Sequence, residues 1–204
     1  MNPRPIMDAG PGINFLSLNK ERLLFSVVGA LSVPEVVERE ILGKARQEER
    51  FAPAERVWKK LPQRLMQVLC DDITDELAEV VHRVTGMAIS DRARSRKDLG
   101  EIMVTAHAVV AAEKGRNVLV LIDDGDGRAM VTAEARRLER LRDTGRGVGS
   151  VKLISTLTIL EKAAGGKYLP NKTDMRKLYA RLRELDDGLV PLNATELMDL
   201  PCWK

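Results

Sequence analysis

Val118-Leu119-Val120-Leu121-Ile122 is apolar at every position and runs straight into Asp123-Asp124-Gly125. A strand that is apolar on both faces must be covered on both, the setting of a parallel strand in a sheet flanked by helices. Parallel strands are joined by crossovers rather than hairpins, so this segment demands helices around it in the chain. The sequence supplies them. Residues 4–8 read as a short first strand, and Phe15 to Leu24 as a helix with Asn14 or Ser17 as its cap. Ser26 to Val33 reads as a second apolar strand closed by Pro34, which suits the first turn of a helix over Glu35 to Gln47. Further on, Glu101 to Lys114 forms a helix ended by Gly115, and Arg128 to Leu141 another. Val151 to Ile154 is a strand, Thr156 to Ala164 a helix stopped by Gly165-Gly166, and Thr173 to Leu185 the last helix. Strands alternating with helices predict an α/β fold: a central, mostly parallel sheet between two helical layers.

The interval from about 46 to 97 differs in character. It is heavily charged and punctuated by Pro53 and Pro62, with helices expected around Ala54–Lys60, Gln63–Cys70 and Asp75–Val84. It reads as a helical insertion, closed by a basic loop over Arg92 to Asp98. At 204 residues the chain suits one main domain over 1–170, with a helix and tail over 171–204 packed on it. A net charge of +3 gives no global basic field. Cys70 and Cys202, the only cysteines, are expected to be reduced thiols. With no apolar run near the roughly 20 residues that span a bilayer, a soluble cytoplasmic protein is expected.

Four acids stand out against this framework. Asp8, in Ile6-Met7-Asp8-Ala9-Gly10, and Asp123 each end an apolar run, which puts a carboxylate at the end of a parallel strand where such sheets bind ligands. On the helix after Pro34, Glu40 falls angularly between Val36 and Val37, inside their arc with Ile41, a costly place for an unpaired charge. Its plain alternative is an i,i+4 pair with Lys44. Glu101 has two readings as well: the partner of Asp98 in a capping box, or an acid pointing into a site from a face it shares with Thr105, Ala108 and Ala112. Asp124 and Asp126 read equally well as turn formers. Clustered carboxylates repel unless a cation is present, and an oxygen-only set suits Mg²⁺ or Mn²⁺. His82 and His107 lack a matching partner and read as packing or surface residues.

Ile6-Met7-Asp8-Ala9-Gly10-Pro11, Val33-Pro34 through Glu40-Ile41, Gly100-Glu101 and Leu121-Ile122-Asp123-Asp124 together resemble the four acidic blocks of a PIN domain. Leu153 to Ala163 is similar to that fold's last strand and helix. The resemblance covers about residues 4–45 and 98–170. It implies a PIN-like α/β/α fold and a metal-dependent ribonuclease, often the toxin (VapC-like) of a toxin–antitoxin pair. It implies a metal site of Asp8, Glu40, Glu101 and Asp123 with Asp126 as auxiliary ligand, Mg²⁺ or Mn²⁺ as cofactor, and an RNA substrate. A small antitoxin protein is the further partner it suggests, and the helix Thr173–Leu185 offers a surface for a homodimer. Arg92, Arg94, Arg96, Lys97 and Arg128 are the candidates to hold the RNA backbone. The competing reading is a non-catalytic PIN-like module that binds RNA or protein. Aromatic residues are 3% of the chain, which argues against a base-stacking platform.

Overall fold

The computed structural model describes residues 3–94 and 97–203. Its centre is a sheet of five strands, all parallel, in the order β3-β2-β1-β4-β5: β1 (Ile6–Met7), β2 (Leu31–Pro34), β3 (Met66–Leu69), β4 (Val118–Leu121) and β5 (Val151–Ile154). Helices α1 (Ala9–Ser17) and α2 (Glu21–Val28) lead from β1 to β2, and α3 (Glu35–Gln47) and α4 (Ala52–Trp58) from β2 to β3. Helices α5 (Asp75–Thr85), α6 (Ile89–Arg92) and α7 (Leu99–Glu113) return the chain across the sheet to β4. Helix α8 (Gly125–Asp143) leads to β5, and α9 (Thr156–Ala163) and α10 (Lys172–Leu185) follow. Helix α1 packs with α3, α4 and α10, and α2 with α9, while α7 packs with α5 and α8. Helices thus cover the sheet on both sides, the α/β/α arrangement expected.

Burial explains the apolar strands. Leu31, Val33, Val120, Leu121 and Ile122 are fully buried. Helix α7 is apolar almost all round because it is covered twice. Val104, Ala108 and Ala112 belong to the core under the sheet, whereas Ile102, Met103, Ala106 and Val109 pack on Leu77, Val80, Val81 and Ile89 from α5 and α6. The C-terminal segment adds Met175, Leu178, Tyr179, Leu182, Leu189 and Leu197 to the main core. Among the described residues no helix is long and apolar enough to cross a membrane. Both cysteines are free and exposed.

Three expectations need correction. The interval 46–97 is not wholly helical, because Met66–Leu69, expected in a helix, pairs with β2 as an edge strand in the register Leu31↔Met66 to Pro34↔Leu69. The run Ser26–Val33 divides: α2 continues to Val28, Gly29 ends it at φ 74, and only from Leu31 is the chain a strand. The single helix expected over Phe15–Leu24 is two, separated at Asn19, whose φ of 53 breaks the helical path. Helix α1 is capped by Asp8 rather than by Asn14 or Ser17.

The order of strands places the topological switch point between β1 and β4, where the crossovers diverge. Helices that follow or precede these strands have their first turns at the carboxyl edge of the sheet. Asp8, the second turn of α3, the first turn of α7 and Asp123-Asp124 therefore meet along one edge. Close packing makes this tight. A Cβ on Gly12 of α1 would lie 2.8 Å from Ile41 Cδ1 and 3.1 Å from Met7 Cε. Gly12→Leu should overpack this junction and cost about 1–3 kcal/mol. A fall in the urea midpoint with unchanged m-value is the expected result; an unchanged midpoint contradicts the packing argument.

Candidate functional site

Asp8 sits where β1 turns into α1, and its amide donates to the Leu121 carbonyl at 2.9 Å, which locks it beside the end of β4. Its Oδ2 accepts weakly from the Gly10 amide at 3.5 Å. Its Oδ1 is buried and has no partner among the described residues. The side chain is 6% exposed, and burial first, with the nearby charge of Glu40, pushes its pKa up to about 6.

Glu101 lies in the first turn of α7. Asp98 does not form a capping box with it: Asp98 has φ 56 and caps no amide through its side chain. Freed from that role, the Glu101 side chain lies against α8, where a Cβ on Gly127 would come within 3.0 Å of Oε2 and 3.1 Å of Cγ. Glu101 Oε2 is likewise buried without a partner among the described residues. Burial first, then the charges of Asp124, Asp8, Asp98 and Asp126, pushes its pKa up to about 7.

Glu40 satisfies both readings of it. Its Oε1 accepts from Lys44 at 3.1 Å, and its Oε2 faces Gly100, whose missing Cβ would lie 3.1 Å from that atom and 3.5 Å from Asp8 Oδ1. Glycine at 100 is what lets α7 come down on this pair of acids.

Asp123 turns away from them. Its Oδ1 accepts from the Thr156 amide at 2.8 Å and its Oδ2 from Thr156 Oγ1 at 2.5 Å, so it ties the end of β4 to the start of α9. Burial raises its pKa while the two Thr156 bonds oppose the rise, and its charged neighbours are Asp186 and Arg128. The adjacent Asp124, read from the sequence as a turn former, caps α8 by accepting from Asp126 N at 2.8 Å and Gly127 N at 3.1 Å. It is also the acid whose charge weighs most on Glu101. The structure thus gathers Asp8, Glu40, Glu101 and Asp124, with Asp98 and Asp126 at the rim, and sets Asp123 apart.

Asp71 escaped the sequence reading. It follows β3 much as Asp8 follows β1. Its Oδ2 accepts from the Val36 amide at the start of α3 (2.7 Å), its Oδ1 lies 2.9 Å from His107 Nε2 on α7, and its own amide donates to Glu35. One side chain thereby fixes the helices that carry Glu40 and Glu101. Its signal is the same as that of the other acids: an apolar run, Met66 to Leu69, ending in Cys70-Asp71-Asp72.

The basic candidates scatter. Arg92 is 7% exposed and its guanidinium donates to the Lys97 carbonyl, so it is buried structure and not an RNA contact. Arg94 and Lys97 are exposed, and Arg96 lies outside the described residues. Arg128 donates to the Ile122 carbonyl at 3.3 Å, beside Asp123.

As the side chains stand, no three Asp, Glu, His or Cys residues among the described ones already converge on one point. The fit to a hard cation rests on other observations. At this edge Asp8 Oδ1 and Glu101 Oε2 are buried without donors among the described residues, a cost that a cation or a proton relieves. All the surrounding donors are oxygens. Comparison with family models, curated proteins and solved structures gives no match to this chain.

A raised carboxylate pKa means that the folded chain holds protons the unfolded chain releases, so stability falls as pH rises through that interval. For Asp8 and Glu101 it runs from the ordinary carboxylate range, 3.8 and 4.5, up to about 6 and 7. Without divalent ions, Asp8→Asn should be more stable than wild type at pH 7.5, by about 3 kcal/mol at most, with the difference gone near pH 4. Urea titrations of both proteins at the two pH values measure it; an equal gap at both contradicts the burial argument. Thr156→Val, which removes one bond to a charged acceptor at nearly constant volume, should cost about 1.5–3 kcal/mol. A melting temperature unchanged by that substitution would show Asp123 to be held by something else.

Proposed function

We propose that the protein is a metal-dependent ribonuclease of PIN-like type. The observation that supports this most directly is the pair of buried, unpartnered oxygens, Asp8 Oδ1 and Glu101 Oε2, at the switch point of a parallel sheet. Asp8, Glu101 and Asp124 are the residues to hold Mg²⁺ or Mn²⁺, with Asp126 at the rim. Asp123 acts through Thr156 as a positioning residue. When bound, the cation supplies a Lewis acid that eases deprotonation of water and offsets the charge building on phosphate.

The chain's own groups do the rest. Glu40, braced by Lys44, faces Gly100 in the first turn of α7 and is placed to orient the attacking water and accept its proton. No side chain has to form a covalent intermediate: water adds to phosphorus as the bond to the leaving ribose oxygen breaks. Burial of Asp8 and of Glu101 Oε2 lowers the local screening around the charges that would face the phosphate. Arg94, Lys97 and Arg128 are the basic side chains left to contact phosphates once Arg92 is set aside. A role as the toxin of a toxin–antitoxin pair, with a small antitoxin partner, belongs to the same proposal and rests on the sequence resemblance, while a homodimeric assembly rests on the C-terminal helix.

The test is Mn²⁺ titration by calorimetry together with cleavage of single-stranded RNA, for wild type, Asp8→Asn, Glu101→Gln, Asp124→Asn and Asp123→Asn. Asp8→Asn and Glu101→Gln should each lower Mn²⁺ affinity and cleavage by about a hundredfold or more. Asp124→Asn should follow them, and Asp123→Asn should lose stability first. Mn²⁺ binding and cleavage indifferent to Asp8→Asn would sink the proposal.

A further inference from the structure

Gly43 lies in the third turn of α3, and among the described residues nothing is found within 4 Å of where its Cβ would be. A glycine inside a helix costs about 1 kcal/mol relative to alanine. At Gly12, Gly100 and Gly127 neighbouring atoms explain the missing side chain; at Gly43 no atom of the described residues does. What lies over it is a groove of about 520 Å³ between α3 and the start of α7, lined by Arg39, Glu40, Lys44, Gln47, Ala93 and Leu99 among others. The groove opens from the acids, since Gly100 at its inner end abuts both Glu40 Oε2 and Asp8 Oδ1.

Charge follows the same line. Six carboxylates crowd the sheet edge and would repel a phosphodiester approaching over them. Along the groove the sign reverses. Arg39 is exposed and makes no ion pair or hydrogen bond among the described residues. Lys44 reaches back to Glu40, and Val36, Ala93 and Leu99 give an apolar wall. An exposed guanidinium beside an apolar wall, next to an open strip of helix, suits phosphates on one side and base faces on the other. A groove of this size takes a few single-stranded units and not a duplex.

We propose that this groove seats the single-stranded RNA chain on one side of the scissile bond, with Arg39 and Lys44 on its phosphates, and that Gly43 is bare to leave room for the strand. This rests on the nuclease reading but makes a separate claim. It moves the main RNA contacts from the basic segment 92–97 to α3.

The experiment uses the full chain and a fluorescent single-stranded RNA of roughly 12 nucleotides, within the usual range of single-strand sites. Gly43→Gln replaces a poor helix former by a good one, so folding should hold, and its melting temperature and Mn²⁺ affinity should match or exceed those of wild type. Its RNA affinity should nevertheless fall, with KM rising by about tenfold or more as the groove fills. Arg39→Ala should weaken binding and reduce the salt dependence by about 0.7 in slope, one phosphate contact on a single strand. Gly43→Gln that binds and cleaves as wild type does overturns the groove while leaving the nuclease standing. RNA binding sensitive to Gly43→Gln in a protein that neither binds Mn²⁺ nor cleaves supports the groove and overturns the nuclease. Wild type that does not bind RNA at all overturns both.

Discussion

Two buried carboxylate oxygens that have no donor among the described residues, Asp8 Oδ1 and Glu101 Oε2, set the terms for the carboxyl edge of the sheet. A buried, unpaired polar atom is among the costliest features a fold can retain, and a carboxylate is costlier than most. Here two occur together, on different elements, with further acids around them. Proton uptake relieves the cost in part, as their raised pKa values record. In the proposed function a divalent cation would relieve the rest, and the oxygen-only surroundings suit a hard ion.

Much of the surrounding structure exists to hold that arrangement. Gly12 lets α1 settle against Met7 and Ile41, Gly100 lets α7 descend onto Asp8 and Glu40, and Gly127 lets α8 press on Glu101. Asp71 bonds α3 through the Val36 amide and α7 through His107, so helices from two separate crossovers share one anchor. These contacts oppose the mutual repulsion of the acids with packing and with hydrogen bonds formed elsewhere. The strain of the edge is thus carried by the scaffold, not by the site itself.

The α/β class was legible because Val118–Ile122 is apolar on both faces and because helices Glu35–Gln47 and Lys172–Leu185 keep a clear helical period, the second with Asn171 as its cap. Where the reading failed, the deciding interaction was distant in sequence. Met66–Leu69 alternates poorly and follows Pro62, and only its pairing with β2 makes it a strand. Gly29 looked like the interior of a strand, yet its positive φ ends α2, because an apolar run cannot by itself reveal a helix that turns off at a glycine. Glu101 was equally at home in a capping box, and only the left-handed backbone at Asp98 removes that role. Arg92 sat in a basic run expected as a loop, yet it is buried and folds back onto the Lys97 carbonyl, which composition alone does not show.

Asp123 and Asp124 show the limit of sequence reading most sharply. Both end the same apolar run, and by composition either suits a ligand. Geometry separates them. Successive side chains at the end of a strand point to opposite faces of the sheet. Asp123 faces α9 and spends both oxygens on Thr156, while Asp124 caps α8 on the side where Glu101 stands. A one-residue choice therefore divides a structural acid from a candidate ligand. The same logic assigns work to each: Asp123 holds the end of β4 against α9, which fixes where Asp124 must begin α8. In the proposed site the two adjacent aspartates divide the work in this way, Asp123 toward α9 and Asp124 toward α8.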